Sequence, residues 1–235
     1  MAALLPPRHV VAVYPYPDEH GRVLLRKRRY EPKDFRMQAR KRETCVWVRP
    51  SVLTARYPKA APYFDSLLFN LPLLLDDPPE LALTEGEKDA AALTAAGLPA
   101  LSHWGGAQHF TPEQAHRFHR YRGRVTIIAD KDPAGAADAL LRRRRLLEVG
   151  VPTRRLRIVR AAGGRGIKDA AAHLAAGYSP EEFVPVDMDR LQALAATAPP
   201  PGRAGRGYDP GEWASMSESL SAWKPTPLRR LAVPR

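Results

Sequence analysis

A chain of 235 residues, 44% of them hydrophobic, can bury one substantial α/β core with an appendage, or two small cores. Its single cysteine, Cys45, excludes an intrachain disulfide and a cysteine-rich zinc centre. No run approaches the roughly 18 apolar residues of a membrane span. Met1–Val13, interrupted by Pro6, Pro7 and Arg8, lacks the apolar core of a signal peptide. The sequence therefore reads as a soluble, cytoplasmic protein with no membrane partner.

The net charge of +12 is unevenly spread. Residues 1–60 carry 14 Lys+Arg against 5 Asp+Glu, residues 61–110 carry 1 against 7, and residues 111–160 carry 13 against 5. An acidic block flanked by basic ones suits a protein that handles a polyanion. An arginine-rich background composition would give the same totals.

In chain order, residues 1–8 read as a loose arm. Val10–Tyr16 alternates like a strand, Asp18-Glu19-His20-Gly21 is a turn, and Val23–Tyr30 is the return strand of a hairpin. Period-2 alternation puts Arg26, Arg28 and Tyr30 on one face of that strand and Lys27 and Arg29 on the other. A strand basic on both faces is expected to stay out of a core. It is either a solvated edge or a phosphate-contacting ribbon. Phe35, Arg36, Arg40, Lys41, Arg42 and Trp47 continue the mixture of rings and cations that holds single-stranded nucleic acid by stacking and phosphate pairing.

Tyr57–Pro79 is rich in proline and aromatic residues. Phe69–Leu75 is expected to form a short helix against the sheet, and Asp76-Asp77-Pro78-Pro79 marks a boundary. From Glu80 strands and helices alternate. A strand at Leu81–Thr84 leads to a helix over Lys88–Ala96 stopped by Gly97, and a short strand at Leu98–Ser102 leads to His103-Trp104-Gly105-Gly106-Ala107. The capping box Thr111-Pro112-Glu113-Gln114 starts a helix reaching about Tyr121. Then come a buried strand at Val125–Ala129, a helix from Pro133 to Glu148, a strand at Leu156–Val159, the loop Gly163-Gly164-Arg165-Gly166, and a helix from Asp169 to Gly177. Ser179-Pro180-Glu181-Glu182 is a second capping box. Strands separated by helices imply a parallel sheet with right-handed crossovers. Beyond Ala196 proline and glycine dominate, and Trp213 and Trp223 are candidate docking points in a flexible tail.

Two strand ends carry acids: Glu85-Gly86-Glu87-Lys88-Asp89 after the first strand, and Asp130-Lys131-Asp132-Pro133-Ala134-Gly135 after the third. In open α/β sheets ligands sit at the carboxyl ends of the strands. Carboxylates gathered there repel one another unless a cation or protons intervene. Oxygen-only ligands suit Mg²⁺ (or Mn²⁺), which commonly binds through one or two carboxylates together with waters and substrate phosphates. His116 and His119, three apart on one helix, lack a partner acid or cysteine and read as surface residues. Of Arg142–Arg145, at most two can address one ligand, and a solvated face suits the others.

Glu-Gly-x-x-Asp after a strand, Asp-x-Asp-x-x-Gly after a later strand, and Lys168-Asp169 after a glycine-rich loop together resemble the Toprim domain over about residues 80–185. Toprim is the metal-binding catalytic domain of bacterial-type primases, topoisomerases and some nucleases. The resemblance is closer to the primase-like Toprim proteins of phages, plasmids and integrated elements. It extends to Arg29-Tyr30-Glu31-Pro32-Lys33-Asp34-Phe35-Arg36, Val46-Trp47-Val48, Phe69-Asn70-Leu71-Pro72 and Trp104-Gly105-Gly106-Ala107. It implies a Toprim-type, Rossmann-like α/β fold over 80–190, a parallel sheet with helices on both faces. A small basic β-rich subdomain, 1–79, precedes it and a Pro/Gly-rich tail, 191–235, follows.

By the same resemblance Glu85 is a metal ligand or a general acid/base, Asp130 and Asp132 are the metal-binding pair, and Asp169 is a later acidic ligand. In many relatives a second acid lies three residues after the last of these; here that place is Ala172. Lys88, Gly105, Gly106 and Lys168 are candidate nucleotide or phosphate contacts, although Lys168 could equally pair with a carboxylate. Arg26, Arg28, Arg29, Tyr30, Arg36 and Trp47 are the candidate nucleic-acid contacts. The implied activity is Mg²⁺-dependent synthesis of RNA primers on single-stranded DNA from ribonucleoside triphosphates, with a separate chain supplying any helicase. A metal-dependent Toprim nuclease and a non-catalytic single-strand-binding accessory protein are the alternatives.

Overall fold

The computed structural model describes residues 9–40, 47–50, 61–164 and 166–201. The expectations for the arm 1–8, for Lys41, Arg42, Cys45, Val46, residues 57–60 and Arg165, and for the tail beyond 201 with Trp213 and Trp223 lie outside these residues.

The N-terminal part is an antiparallel sheet of β1 (His9–Pro17), β2 (Val23–Glu31), β3 (Asp34–Arg40) and β4 (Trp47–Val48), in that spatial order. The β1–β2 turn is organised by Asp18, whose buried carboxylate accepts from the backbone N–H groups of His20 and Arg22 and from Arg22 Nε. Gly21 takes the left-handed conformation there, with φ of 77°. β2 pairs on both sides. It is neither an edge nor wholly solvated, so the expectation drawn from its two-sided charge is corrected. Leu25 and Lys27 are buried on its inner face.

The second sheet has the order β6-β5-β7-β8-β9, formed by β5 (Glu80–Thr84), β6 (Ala100–Ser102), β7 (Arg124–Ala129), β8 (Leu156–Arg160) and β9 (Val184–Pro185). The first four are parallel. β9 runs antiparallel on the edge of β8, so the sheet is mixed where the alternation implied a purely parallel one. The helices are α1 (Ala61–Asp65), α2 (Leu71–Leu75), α3 (Glu87–Ala95), α4 (Pro112–His116), α5 (Pro133–Glu148), α6 (Ala170–Ala175) and α7 (Met188–Ala195). The chain steps from β5 to one edge strand, β6, then back across β5 to β7. Right-handed crossovers therefore place α3 on one face and α4 and α5 on the other. Packing agrees: α3 contacts α6, while α5 contacts α4 and α7.

Local signals account for most boundaries. Thr111 and Gln114 form the expected capping box, though α4 stops at His116 rather than near Tyr121. Asp132 caps α5 and Asp169 caps α6, each accepting the backbone N–H three residues on. Ser179 and Glu182 form their capping box around a single 3₁₀ turn. α1, β3, β9 and α7 are additions to the expected elements.

The two sheets share one continuous apolar core, from Tyr16, Leu25 and Ala39 through Phe69 to Leu191. Tyr14 and Tyr16 meet the Phe69 ring edge-on at 5.9 and 6.0 Å. Phe69 N–H donates to Ser102 O at 2.9 Å, which ties the segment before β5 to the β6 edge. Among the described residues, no helix is long and apolar enough to cross a membrane.

Candidate active site and nucleic-acid interface

Glu85 directly follows β5 and Asp130 directly follows β7, so adjacent parallel strands deliver two carboxylates to the same sheet end. Both are only partly exposed. Burial, reinforced by Asp138 and then by Asp132 and Asp89, pushes the Glu85 carboxyl up to about 7 against the pull of Arg142. Burial and the charges of Glu85 and Asp89 push Asp130 up to about 8. Asp89, buried on the first turn of α3, is raised by burial to about 6, although the Ala171 N–H donates to it at 2.9 Å. Burial first, and then the charges of neighbouring acids, raise all three carboxyls, so that Glu85 and Asp130 take up protons near neutral pH.

Asp89 is a residue of this site that was not among those expected. Its signal was present: it is the terminal aspartate of Glu-Gly-x-x-Asp, and helical geometry turns it back toward the strand end.

The other two expected ligands are placed differently. Asp132 is exposed, and its Oδ1 accepts from Gly135 N at 2.8 Å. Asp169 Oδ1 accepts from Ala172 N at 2.7 Å, and its Oδ2 lies 3.9 Å from Lys88 Nζ. Both spend an oxygen on a helix N-cap. Among the described residues, no three His, Cys, Asp or Glu side chains converge as a ready-made metal cage. The donor chemistry nevertheless fits a hard divalent cation. The acids are oxygen ligands delivered by adjacent strands to one sheet end.

One buried cation underlies this site. Arg142, Asp138 and His103 are all fully buried. Arg142 Nε forms an ion pair with Asp138 Oδ2 at 2.7 Å, while its Nη1 donates to Leu83 O and its Nη2 to Ile128 O at 3.0 Å. Leu83 and Ile128 each lie two residues before a site acid, so Arg142 clamps the ends of β5 and β7. Burial would raise Asp138, but Arg142, His103 (Nε2 to Oδ2, 3.3 Å) and the Gln108 N–H overcome it and hold that carboxyl at about 2. The expected solvated face of the arginine run holds for Arg144, which is exposed, and is corrected for Arg142.

Two glycines are fixed by contact. A Cβ at Gly135 would sit 2.5 Å from Asp130 Cβ, so only glycine lets α5 start against Asp130. A Cβ at Gly105 would sit 2.3 Å from His109 Cβ, and Gly106 has φ of 77°. These are packing and backbone requirements within the Trp104–Gly106 turn. Lys168 is exposed on the rim near Asp130, whereas Lys88 sits on α3 beside Asp169. His116 and His119 stack at 4.5 Å on the surface, as expected.

The N-terminal sheet contributes a second surface. Its outer face carries Arg26, Arg28, Arg36 and Trp47, while Tyr30, on the same face, is buried and its ring is not open to a base. The Arg26 guanidinium lies 4.1 Å from the Trp47 ring, and Tyr30 lies beneath Arg28 and Arg36 at 5.3 and 5.1 Å. Arg28 is directly opposite Arg36 across the β2–β3 ladder, a like-charge pairing that costs stability and that Asp34, with its Oδ2 3.4 Å from Arg36 Nε, partly offsets. Arg29 takes the opposite face with Lys27, and its buried Nε has no hydrogen-bond partner among the described residues.

Lys27 joins the two sheets. Its Nζ lies 2.9 Å from Glu87 Oε1 and donates to Trp104 O at 3.1 Å, while Tyr16 OH donates to Glu87. Glu87 is two residues from Glu85, so the basic sheet is anchored beside the acids.

No family sequence profile and no curated protein matches the chain. Solved structures do. The Escherichia coli primase catalytic core is 20% identical with a TM-score of 0.50, covering 79% of this chain and 55% of that one. The DnaG primase catalytic domain bound to ssDNA is 20% identical with a TM-score of 0.52, covering 78% and 62%. The DnaG catalytic core is 19% identical with a TM-score of 0.51, covering 88% and 62%. The fold is primase-like. This chain spans 55–62% of the length of those three structures. The primase-like fold comprises both the antiparallel N-terminal sheet and the mostly parallel sheet that follows.

Proposed function

We propose that the protein is a primase-type nucleotidyltransferase that makes short RNA primers on single-stranded DNA in replication. The observation that carries this reading is the pair of partly buried carboxylates, Glu85 and Asp130, at the ends of the adjacent parallel strands β5 and β7, with Asp89 on the first turn of α3 beside them. Glu85 and Asp130, with Asp132 and Asp169 at the rim, are the residues that would hold Mg²⁺ or Mn²⁺. A bound divalent cation supplies neutralisation of phosphate charge and polarisation of phosphate oxygen. Arg142 fixes the two strand ends, and Gly135 admits α5 close to Asp130. Lys168 faces the phosphates. Arg26, Arg28, Arg36 and Trp47 hold template by stacking and charge. The similar DnaG domain bound to ssDNA supports a single-stranded partner for this chain. The division into a template-holding part over 1–79, a catalytic part over 80–190 and a tail belongs to the same proposal, as does a separate helicase chain that would expose the template.

A second reading, a single-strand-binding accessory protein without transfer chemistry, draws support from Asp132 and Asp169. Each commits an oxygen to a helix cap.

The test is incubation with single-stranded DNA, labelled ribonucleotides and Mg²⁺ or Mn²⁺, beside Asp130→Ala/Asp132→Ala. Metal-dependent oligomers absent from the variant support primer synthesis. Shortened DNA without nucleotides indicates a nuclease. Intact DNA, no oligomers and binding retained in EDTA indicate the accessory protein.

A further inference from the structure

Glu85 and Asp89 stand on either side of the start of α3, and that start has no side-chain cap. α4, α5, α6 and α7 are each capped by a side chain, from Thr111, Asp132, Asp169 and Asp187. At α3 the N-cap is Gly86, which can supply none. Another contact must fix the turn on which two of the site acids are mounted.

The fixed point is Glu87, midway between them. Its side chain is buried, and β1 and β2 each send one group to it. Tyr16 OH donates to Oε1, while Lys27 Nζ lies 2.9 Å from Oε1 and donates to Oε2 at 3.2 Å. The same ammonium donates to Trp104 O at 3.1 Å, at the start of the turn after β6. Lys27 therefore holds the loops that leave β5 and β6 at one sheet end. The Phe35 ring lies 5.0 Å from Nζ. Lys27 is 9% exposed and Tyr16 is fully buried. Two carboxylate oxygens and a carbonyl surround the ammonium, which leaves it no donor for an outside anion. That separates Lys27 from Arg26 and Arg28 on the other face of the same strand. Burying such a pair is costly, but a charge-assisted hydrogen bond fixes direction as well as distance.

We propose that Lys27 and Glu87 are positioning residues for the acid site, through which the N-terminal sheet sets where Glu85 and Asp89 stand. The proposal rests on the reading of Glu85 and Asp130 as cation ligands. It adds that the basic sheet completes the acidic sheet end: its inner face orients the ligands, and its outer face addresses the single strand.

The experiment compares the full-length wild type with Lys27→Met/Glu87→Gln. These substitutions remove both charges together, so net charge is unchanged and no buried charge is left uncompensated. The glutamine can still accept from Tyr16. Mn²⁺ binding is followed by electron paramagnetic resonance, oligothymidylate binding by fluorescence anisotropy in EDTA, and stability by urea. The double variant is expected to bind Mn²⁺ at least about tenfold more weakly, the loss that follows removal of an outer partner of a metal ligand. Its urea midpoint and its oligothymidylate affinity are expected to stay close to wild type. Tyr16→Phe, which deletes one hydroxyl, is expected to weaken Mn²⁺ in the same direction, and it decides the matter if the double variant does not fold. Glu19→Gln is the control. Glu19 forms a second junction, from the β1–β2 turn to Tyr63 on α1 and Arg117 just past α4, and its loss should leave Mn²⁺ binding unchanged.

Mn²⁺ affinity at the wild-type value in the double variant and in Tyr16→Phe, or an equal loss in Glu19→Gln, overturns the positioning role. So does a parallel loss of oligothymidylate binding, which would mark a general loosening of the junction. The two readings fail separately. A wild type that binds no Mn²⁺ removes the cation site and the positioning role with it. A wild type that binds, with variants that bind alike, removes the positioning role alone.

Discussion

Arg142 and Asp138, one helical turn apart on α5, form a fully buried ion pair with Nε 2.7 Å from Oδ2. The pair supports the site from below, because the same guanidinium also holds Leu83 O and Ile128 O. Removing one partner of a buried pair leaves an uncompensated charge. Arg142→Met is therefore expected to destabilise the protein by about 3–5 kcal/mol, with Arg142→Lys intermediate. Urea unfolding measures it. A loss within experimental error of zero would show that the clamp is dispensable.

The acids above this pair give the metal-free protein a distinctive pH profile. Glu85, Asp130 and Asp89 have folded pKa values of about 7, 8 and 6, above their ordinary range. The folded state therefore binds more protons than the unfolded one between about pH 4 and 8. Stability from this group is expected to be full below the unfolded carboxyl range and to fall as pH rises through 6 to 8. Asp138 runs the other way: held at about 2, it stabilises above the ordinary range and loses that contribution only as pH drops toward 2. Asp130→Asn should flatten the fall and raise metal-free stability at pH 8 by about 1–3 kcal/mol. Thermal melts across pH 4–9 with EDTA check both statements. A wild-type profile that rises from pH 6 to 8 would contradict them.

Gly135→Ala places a methyl 2.5 Å from Asp130 Cβ, with backbone beside it at 3.0 Å. Overpacking of this kind costs roughly 1–3 kcal/mol, and it displaces a site acid as well. The expected outcome is a variant that still folds but binds Mn²⁺ at least tenfold more weakly. Gly164→Ala, where nothing lies within 4 Å, is the matched control and should behave as wild type.

The outer face of the N-terminal sheet predicts a salt-sensitive grip on single strands. Each phosphate contact contributes a slope of about 0.7 in log K against log salt. Arg28→Ala and Arg36→Ala should each reduce affinity for an oligothymidylate and lower that slope, and Trp47→Ala should weaken binding with the slope unchanged. Arg29→Ala, on the other face, should do little to binding. Fluorescence anisotropy in EDTA separates these. Equal effects of Arg28→Ala and Arg29→Ala would mean that the outer face is not the contact surface.

Much of this architecture was legible because it is local. Strand ends bearing acids and the capping boxes at Thr111 and Ser179 are short-range patterns, and each appears where spacing puts it. Lys27 and Arg142 were illegible as buried cations because each looks like one more member of a basic run. Lys27 is buried by Glu87, 60 residues away. The acceptors of Arg142 are strand-end carbonyls, which carry no side-chain signature. Only Asp138, four residues before Arg142, hinted that one arginine of the four had a partner on its own helix face. The antiparallel turn of β9 escaped notice because two residues, Val184 and Pro185, carry no periodicity.

The central claim is that the acids at the ends of β5 and β7 form a divalent-cation site. Mn²⁺ binding followed by electron paramagnetic resonance tests it most directly, on wild type and on Glu85→Gln/Asp130→Asn. The account predicts saturable binding to the wild type that tightens as pH rises from 6 to 8 and is lost in the double variant. Binding identical in the two proteins, or absent from the wild type at millimolar Mn²⁺ with and without nucleotide, would contradict it.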